Sequence, residues 1–313
     1  MSFNDNVQIN AGRARGGGGG IGGRGAAIGG GGGLLALLLA IFAPGLAEQL
    51  GIDTSGDSGY EQQYQDQSGS STSPVDSASC STGADANEDT DCRVIATTES
   101  ADEFWGSFME PYSNIEWRQP DLTLFTQNVN TGCGAATSAT GPFYCPSDES
   151  MYFDTEFFST LSTDFGATGG PLAEEYIVAH EYGHHVQNVV GWLQYAQDGQ
   201  TGAESNAVRS ELQADCLAGM WAGHATQTVD PESGEAFLEP ITQDQLAQAV
   251  NAAAAVGDDR IQETYQGSVN PEAFTHGTSA QRQAWFMRGY ETGGAESPDI
   301  NQCNTFEAST LDI

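Results

Sequence analysis

The sequence contains no lysine, and its nine arginines stand against 43 acidic residues in a chain of 313. The formal net charge of -34 leaves too few cations to neutralise a phosphate backbone, which excludes nucleic acid as a partner. The same shortage excludes docking on anionic lipid through a basic patch. Such acidity keeps a protein soluble, and we predict that it suits a saline environment.

An apolar run follows the most basic part of the chain. Three of the nine arginines precede residue 25, and an uncharged stretch follows over residues 25–47, a pattern typical of an export signal. The stretch is as long as the ~20 residues that a spanning helix needs, although glycines near its start weaken it as a helix. We favour a single-pass membrane anchor with the rest of the chain outside the cytoplasm. Secretion after signal cleavage is the alternative.

The six cysteines occur without any C-x-x-C spacing, which argues against a zinc cluster built from thiolates. Proteins outside the cytoplasm tend to pair their cysteines. We predict that the two pairs close in sequence form local disulfides and that the remaining two cysteines join each other, giving Cys80–Cys92, Cys133–Cys145 and Cys216–Cys303.

Composition divides the chain into four parts. Residues 1–24 are polar and Gly-rich and are predicted to be disordered in the cytoplasm, ahead of the membrane or signal segment 25–47. Residues 48–103 carry 13 acids and a single base, a composition that buries little apolar surface and predicts a flexible acidic linker. The folded domain is predicted over residues 104–313, beginning at an aromatic-rich stretch.

Short strands and several helices are predicted within that domain, which makes it an α+β fold. Strands are predicted over residues 122–125 and 151–153. The second is either a sheet edge that binds an extended peptide or an interior strand. The first helix starts at a first-turn proline and ends before Gly191, and the last ends before Gly289. The four helices are predicted over residues 171–190, 207–222, 243–256 and 279–288.

The motif H-E-x-x-H lies in the first of these helices, as His180, Glu181 and His184. Residues four apart on a helix differ by ~40° around the axis and ~6 Å along it, so both imidazoles can bind one zinc ion. Glu181 lies beside that ion, where it can take a proton from the attacking water and pass it to the leaving amine. The alternative is a surface helix with stray histidines, which is weakened because three of the five histidines fall within six residues. His185 points away and is predicted to serve packing.

A catalytic zinc needs a third protein ligand. The metzincin pattern requires glycine and histidine where Gln187 and Val190 stand, so that class is excluded. The second helix offers the E-x-x-x-D pair Glu211 and Asp215, which share one helix face. We predict that Glu211 is the third ligand and that Asp215 orients a ligand imidazole. A solvated acidic face is the alternative for the pair, and His224 is the alternative ligand.

Four stretches of the sequence resemble a family of bacterial membrane proteins, the predicted neutral zinc metallopeptidases. The family's Gly-rich start with one hydrophobic segment is similar to residues 13–47. The resemblance implies a thermolysin-like, gluzincin-type catalytic domain, mainly helical with a small sheet, that uses Zn²⁺ and is held at the membrane. The acidic stretch 48–100 and the absence of lysine depart from the family without touching the site. The matching stretches are residues 133–146 with GPFYCP, 174–188 with AHEYGHH, 211–216 with ELQADC and 274–282 with FTHGTSAQR.

The last of these stretches contains His276, ahead of a helix that Thr278 or Ser279 can cap. In gluzincins a histidine outside the motif stabilises the oxyanion of the tetrahedral intermediate, and the resemblance implies this role for His276. The alternative is a histidine that hydrogen-bonds its own loop. Arg282 either anchors a carboxylate, braces Asp215, or pairs with any acidic neighbour.

These residues predict an extracytoplasmic peptidase that hydrolyses a peptide or protein substrate with a zinc-activated water. In this prediction, His180, His184 and Glu211 bind Zn²⁺, Glu181 is the general base, and His276 is a further catalytic residue. Two alternatives keep the same site. One is a membrane-tethered binding or assembly factor, which has no need of Glu181, and the other is a zinc amidase that acts on cell-wall peptides.

Overall fold

The described residues begin close to the start of the chain and continue after a gap. The computed structural model describes residues 3–17, 80–163 and 166–313. The apolar stretch 25–47 and residues 48–79 of the predicted linker lie outside these ranges. Within them, no helix is long and apolar enough to cross a bilayer. Helices and small sheets are combined there, in agreement with the mixed α and β prediction, whereas the thermolysin-like arrangement stays a prediction.

The strands of the described ranges are β1 (Ala14–Gly17), β2 (Asp121–Phe125), β3 (Asn128–Thr131), β4 (Gly134–Thr137), β5 (Phe143–Cys145) and β6 (Ser150–Phe153). Four of them form one sheet in the order β1, β2, β6 and β5, and β3 and β4 form a separate hairpin. Strands β1, β2 and β6 run parallel, and β5 is antiparallel to β6. Residues 151–153 therefore belong to an interior strand, and β1 and β5 are the two edge strands of the sheet.

The helices of the described ranges are α1 (Gly83–Glu88), α2 (Thr90–Met109), α3 (Phe157–Thr163), α4 (Pro171–Val190), α5 (Asn206–His224), α6 (Gln243–Ala255), α7 (Asp258–Gln266) and α8 (Ser279–Gly293). The four predicted helices are present as α4, α5, α6 and α8. The predicted stop at Gly289 is wrong, because this glycine lies inside α8, where it packs against α5.

Helices α5 and α8 approach each other so closely that only glycine fits between them. A Cβ atom on Gly219 of α5 would lie 2.1 Å from the carbonyl oxygen of Phe286. A Cβ atom on Gly289 of α8 would lie 1.8 Å from the carbonyl oxygen of Cys216. Both distances are far inside van der Waals contact, so the helix backbones themselves touch. This contact brings the start of α8 beside the carboxylates of α5.

All six cysteines form disulfides, and the pairing confirms the prediction. The bonds are Cys80–Cys92, Cys133–Cys145 and Cys216–Cys303. The first ties the chain ahead of α1 to α2, and the second ties the β3–β4 hairpin to the edge strand β5. The third fixes α5 to the C-terminal part of the chain, 87 residues later.

The first residues of the chain are folded, which corrects the predicted disorder of residues 1–24 for the part that is described. Strand β1 pairs with β2, and Phe3, Val7 and Ile9 are buried in the main core. The prediction rested on the average composition of a Gly-rich stretch. That average concealed three apolar side chains, which the domain buries.

The folded domain also begins earlier than the predicted residue 104. Residues 80–103 form α1 and most of α2 instead of a flexible linker, and Val94, Ile95 and Ala96 are buried in the same core. Acidic residues cap these helices: Asp89 accepts a hydrogen bond from the backbone N–H of Cys92 at 3.0 Å. Some of the acidic residues that suggested a linker therefore stabilise the starts of helices.

Candidate metal centre

Helix α4 carries the H-E-x-x-H motif through the protein core. Pro171 lies in its first turn, where the missing N–H costs nothing, and Gly191 ends it with a φ of 87°. Every residue from 175 to 187 is buried. Gly183 lies inside the motif where α4 crosses α5, and a Cβ atom there would lie 3.0 Å from the carbonyl oxygen of Ala214. The small residue at 183 therefore lets the two helices meet at the motif.

The three predicted ligands converge at this crossing. Nε2 of His180 lies 3.2 Å from Oε2 of Glu211, and Nε2 of His184 lies 3.5 Å from Oε1 of the same carboxylate. One ligand atom from each residue lies within 4.8 Å of the others, and all three side chains are buried. Burial raises the pKa of Glu211, but the charge of His184 and the hydrogen bond with His180 outweigh it and hold the pKa below its usual range.

Asp215, one turn after Glu211, hydrogen-bonds the other nitrogen of His180. Its Oδ1 lies 2.9 Å from Nδ1 of His180. Burial lowers the pKa of His180, but the hydrogen bond and charge of Asp215 outweigh burial and raise the pKa to about 9. Because Asp215 accepts from Nδ1, the nitrogen that faces Glu211 is Nε2, which would give up its proton on binding a metal. This is the position that the predicted orienting role of Asp215 requires.

A buried arginine compensates the charge of Asp215. Arg282 donates from Nε to Oδ2 and from Nη2 to Oδ1, both at 2.8 Å, in a bidentate pair. The hydroxyl of Tyr176, one turn before His180, donates to Oδ1 at 2.6 Å. Burial raises the pKa of Asp215, but the charge of Arg282 and the hydrogen bond with His180 outweigh it and hold the pKa at about 2. Of the alternatives for Arg282, the structure shows the brace on Asp215.

The second motif histidine has a neutral partner that the sequence analysis missed. Nδ1 of His184 lies 2.8 Å from Oε1 of Gln187. The amide of Gln187 donates to the carbonyl oxygen of Ser210 at 2.7 Å and to Oε1 of Gln213 at 3.0 Å, which fixes Oε1 toward the imidazole. The i, i+3 spacing on one helix face is the sequence signal that points to this pair.

Glu181 lies beside the three ligands with an exposed fraction of 9%. Burial raises its pKa, and the charges of His180 and His184 act in the opposite direction. A raised pKa suits a carboxylate that accepts a proton and then returns it. The backbone N–H of Tyr144 in strand β5 lies close enough to Glu181 to oppose this rise in pKa. The edge strand β5 and the predicted general base are therefore neighbours.

His276 lies close enough to the ligands that its charge contributes to lowering the pKa of Glu211. Nδ1 of His276 lies 3.1 Å from Oδ1 of Asp258, at the start of α7. The other oxygen of Asp258 accepts the backbone N–H groups of Thr275, His276 and Gly277 at 2.7, 2.6 and 3.0 Å. One carboxylate thus orients both the ring and its loop. No motif in the sequence marks Asp258, and the sequence analysis missed it.

The two remaining histidines lie in other environments. Nδ1 of His185 lies 3.1 Å from the hydroxyl of Tyr144, and its Nε2 lies 2.7 Å from the carbonyl oxygen of Arg118. Nδ1 of His224 lies 3.1 Å from the carbonyl oxygen of Gly293 at the end of α8. In the described ranges, the metal-ligand cluster with histidines contains neither of them.

Comparison with known proteins identifies the family. A family model with the description "Putative neutral zinc metallopeptidase" matches residues 2–306. The chain belongs to this family. It is 49% identical over 262 residues to the uncharacterized protein Rv2575 of Mycobacterium tuberculosis. The aligned residues make up 84% of this chain and 85% of that protein. It is 40% identical over 284 residues to the uncharacterized protein YpfJ of Escherichia coli K12. The aligned residues make up 88% of this chain and 87% of that protein. No solved structure matches the chain.

The donor set fits the metal of the family's description. Two imidazole nitrogens and one carboxylate are a common ligand set of catalytic zinc, which keeps a further position open. Each imidazole also has its outer nitrogen engaged, by Asp215 for His180 and by Gln187 for His184. Such outer partners fix the ring orientation that a metal ligand needs.

Proposed function

We propose that this member of the neutral zinc metallopeptidase family is a peptidase that binds Zn²⁺ through His180, His184 and Glu211. The observation that carries the proposal is the convergence of these three buried donors next to a buried Glu181. Structural zinc sites are closed by four protein ligands, whereas three ligands leave a position for substrate. A carboxylate beside the ligands serves proton transfer and has no purpose in a site that only binds metal.

The residues divide the work of peptide hydrolysis between them. Zinc supplies Lewis-acid polarisation of the substrate carbonyl and activation of water at neutral pH. Glu181 accepts the proton of the attacking water and delivers it to the leaving amine. His276, oriented by Asp258, donates a hydrogen bond to the oxyanion. Asp215 and Gln187 fix the orientations of the two ligand imidazoles.

The edge strand β5 supports a peptide or protein as the substrate. One side of β5 pairs with β6, and the backbone N–H of Tyr144 in β5 lies near Glu181. An extended peptide that binds along a sheet edge gains its affinity from main-chain hydrogen bonds. A peptide on this edge would carry its backbone past Glu181.

We also propose that the catalytic domain works outside the cytoplasm. The three disulfides support this location, because thiols in the cytosol are kept reduced. Alkylation of free thiols in lysed cells, followed by mass spectrometry, tests it. Cysteines recovered as disulfides from the extracytoplasmic fraction are expected, and free thiols on all six would contradict the location.

Metal content and cleavage together test the peptidase activity. Wild type is expected to hold one zinc per chain by mass spectrometry, and His180→Ala and Glu211→Ala to lose most of it. Glu181→Gln is expected to keep zinc and lose cleavage of a casein-type substrate. His224→Ala is the matched control, since this histidine lies on the ligand helix α5 outside the cluster. Equal cleavage by wild type and Glu181→Gln would contradict the proposal.

The same variants separate the alternatives. Cleavage of cell-wall muropeptides without cleavage of casein would indicate a zinc amidase. A physiological role that Glu181→Gln supports as well as wild type would indicate a binding or assembly factor that keeps its zinc.

A further inference from the structure

The N-terminal segment, defined here as residues 3–17, is bound to the catalytic domain through its main chain. The N–H of Asn4 donates to the carbonyl oxygen of Phe237, and the N–H of Ile9 donates to that of Ser81, both at 3.0 Å. Further along, β1 extends the main sheet by parallel pairing with β2. Main-chain pairing at both ends makes the segment part of the fold.

Apolar burial shows that the domain is shaped around this segment. Phe3 and Val7 have exposed fractions of 1% and 0%. Gly83, at the start of α1, leaves room for the segment, because a Cβ atom there would lie 2.0 Å from the carbonyl oxygen of Asn4. Both groups of the Asn87 amide bind the main chain of Phe3, at 2.9 and 3.0 Å. Without the segment, the domain would expose apolar core to water.

A buried ion pair connects the segment to α4, the helix that contains the H-E-x-x-H motif. Nε of Arg13 lies 2.7 Å from Oδ2 of Asp102, with side-chain exposures of 15% and 6%. The other oxygen of Asp102 accepts the hydroxyl of Tyr182 at 2.8 Å, and Tyr182 lies inside the H-E-x-x-H motif. Arg13 also donates to the carbonyl oxygen of Pro120 at 2.6 Å. A partly desolvated charge pair of this kind forms only when both chain segments are present together.

We propose that the N-terminal segment and the catalytic domain occupy the same compartment. Residues that share one sheet and one core must lie on the same face of any membrane. A single crossing by residues 25–47 would put them on opposite faces, and cleavage behind residue 47 would detach β1 from the chain. The proposal therefore replaces the predicted single-pass orientation, with its N-terminus in the cytoplasm. It is independent of the proposed peptidase activity.

Thiol labelling in cells tests the shared compartment. All six native cysteines are disulfide-bonded, so an introduced cysteine is the reactive thiol. Gln8→Cys marks the segment and Glu232→Cys marks the domain, and both positions are exposed. The full-length variants are treated with a membrane-impermeant maleimide, in intact spheroplasts and after permeabilisation.

Equal behaviour of the two variants is the expected result, whether both react in intact spheroplasts or both require permeabilisation. Reaction of one variant in intact spheroplasts and of the other after permeabilisation alone would overturn the proposal. Zinc content and melting temperature equal to those of wild type show that the introduced cysteines leave the fold intact.

A cut between the two parts tests the docking itself. A specific protease site inserted into residues 48–79 of the purified full-length protein allows complete cleavage. The N-terminal fragment is expected to co-elute with the domain and to separate in denaturant. Gly83→Leu, which fills the space used by Asn4, is expected to release the fragment after the same cut. A wild-type fragment that separates without denaturant would overturn the proposal.

Discussion

Nδ1 of His184 lies 2.8 Å from Oε1 of Gln187, whereas Nδ1 of His180 lies 2.9 Å from a carboxylate oxygen of Asp215. The two ligand imidazoles therefore have outer partners of different charge. The carboxylate is itself neutralised by Arg282, and the amide is held by two acceptors on α5. Both arrangements fix the ring, and they do so with little net charge next to the metal ligands.

The amide of Gln187 should matter for zinc affinity although it lies outside the ligand set. We expect Gln187→Leu to weaken zinc binding by about 10–100-fold, because the imidazole of His184 loses the acceptor that orients it. Competition with a chelator measures the change. Gln187→Glu keeps an acceptor oxygen and is expected to retain most of the affinity. Equal affinity of the Leu variant and wild type would show that the hydrogen bond has no such role.

Asp258 should affect cleavage more than metal binding. Asp258→Asn weakens the hydrogen bond that orients His276, and we expect cleavage rates to fall about tenfold or more at unchanged zinc content. Asp259→Asn is the matched control, since the neighbouring Asp259 accepts from Ser279 at 2.8 Å. An equal loss in both variants, or loss of zinc in Asp258→Asn, would assign Asp258 a purely structural role.

The glycine contact between α5 and α8 should be intolerant of a single methyl group. We expect Gly289→Ala to destabilise the fold by roughly 1–3 kcal/mol or more, because the new Cβ meets a backbone oxygen that cannot move alone. Gly106 lies in α2 with nothing closer than 3.7 Å to a built Cβ, so Gly106→Ala should be neutral or stabilising by about 1 kcal/mol. Urea unfolding of both variants measures the difference. Similar effects in both would contradict the explanation.

The net charge predicts that added salt stabilises this protein. Repulsion among 43 acidic residues opposes folding, and the Debye length falls from about 10 Å at 0.1 M salt to about 3 Å at 1 M. We expect the melting temperature to rise from low to high NaCl. A neutral osmolyte at the same osmolality is the control for preferential exclusion. Equal melting temperatures at low and high salt would contradict the saline interpretation.

A buried carboxyl group on α4 predicts that the stability of the protein depends on pH. Glu175 is fully buried, neither oxygen has a hydrogen-bond partner among the described residues, and burial raises its pKa from 4.5 to about 8. Between these pH values the unfolded chain ionises this group while the folded protein keeps it protonated. Its contribution to stability is therefore fully present below pH 4.5 and is lost as the pH rises to about 8.

Glu175→Gln removes this dependence. The free energy of unfolding of the variant minus that of wild type should increase between pH 5 and pH 8, by on the order of a few kcal/mol. Urea unfolding at the two pH values measures the gain, and Glu263→Gln on the exposed side of α7 is the control. A stability difference between Glu175→Gln and wild type that is the same at both pH values would rule the effect out.

Local sequence signals predicted the elements that carry the site. Pro171 and Gly191 set the limits of α4, and the four-residue spacing put His180 and His184 on one face. Composition performed worse at the start of the chain, because an average over a Gly-rich stretch carries no information about where three apolar side chains bind. The Gly289 error has a related cause: glycine ends many helices, but here it permits a close helix contact.

The sequence alone determined the ligand types, their spacing and the cysteines available for pairing, because helix periodicity and side-chain chemistry act over a few residues. The tertiary structure decided which carboxylate reaches the imidazoles, which side chains orient them, and that residues 3–17 complete the sheet. Those outcomes depend on contacts between segments tens to hundreds of residues apart. Such contacts are decided by the packing of the whole chain and leave no local pattern.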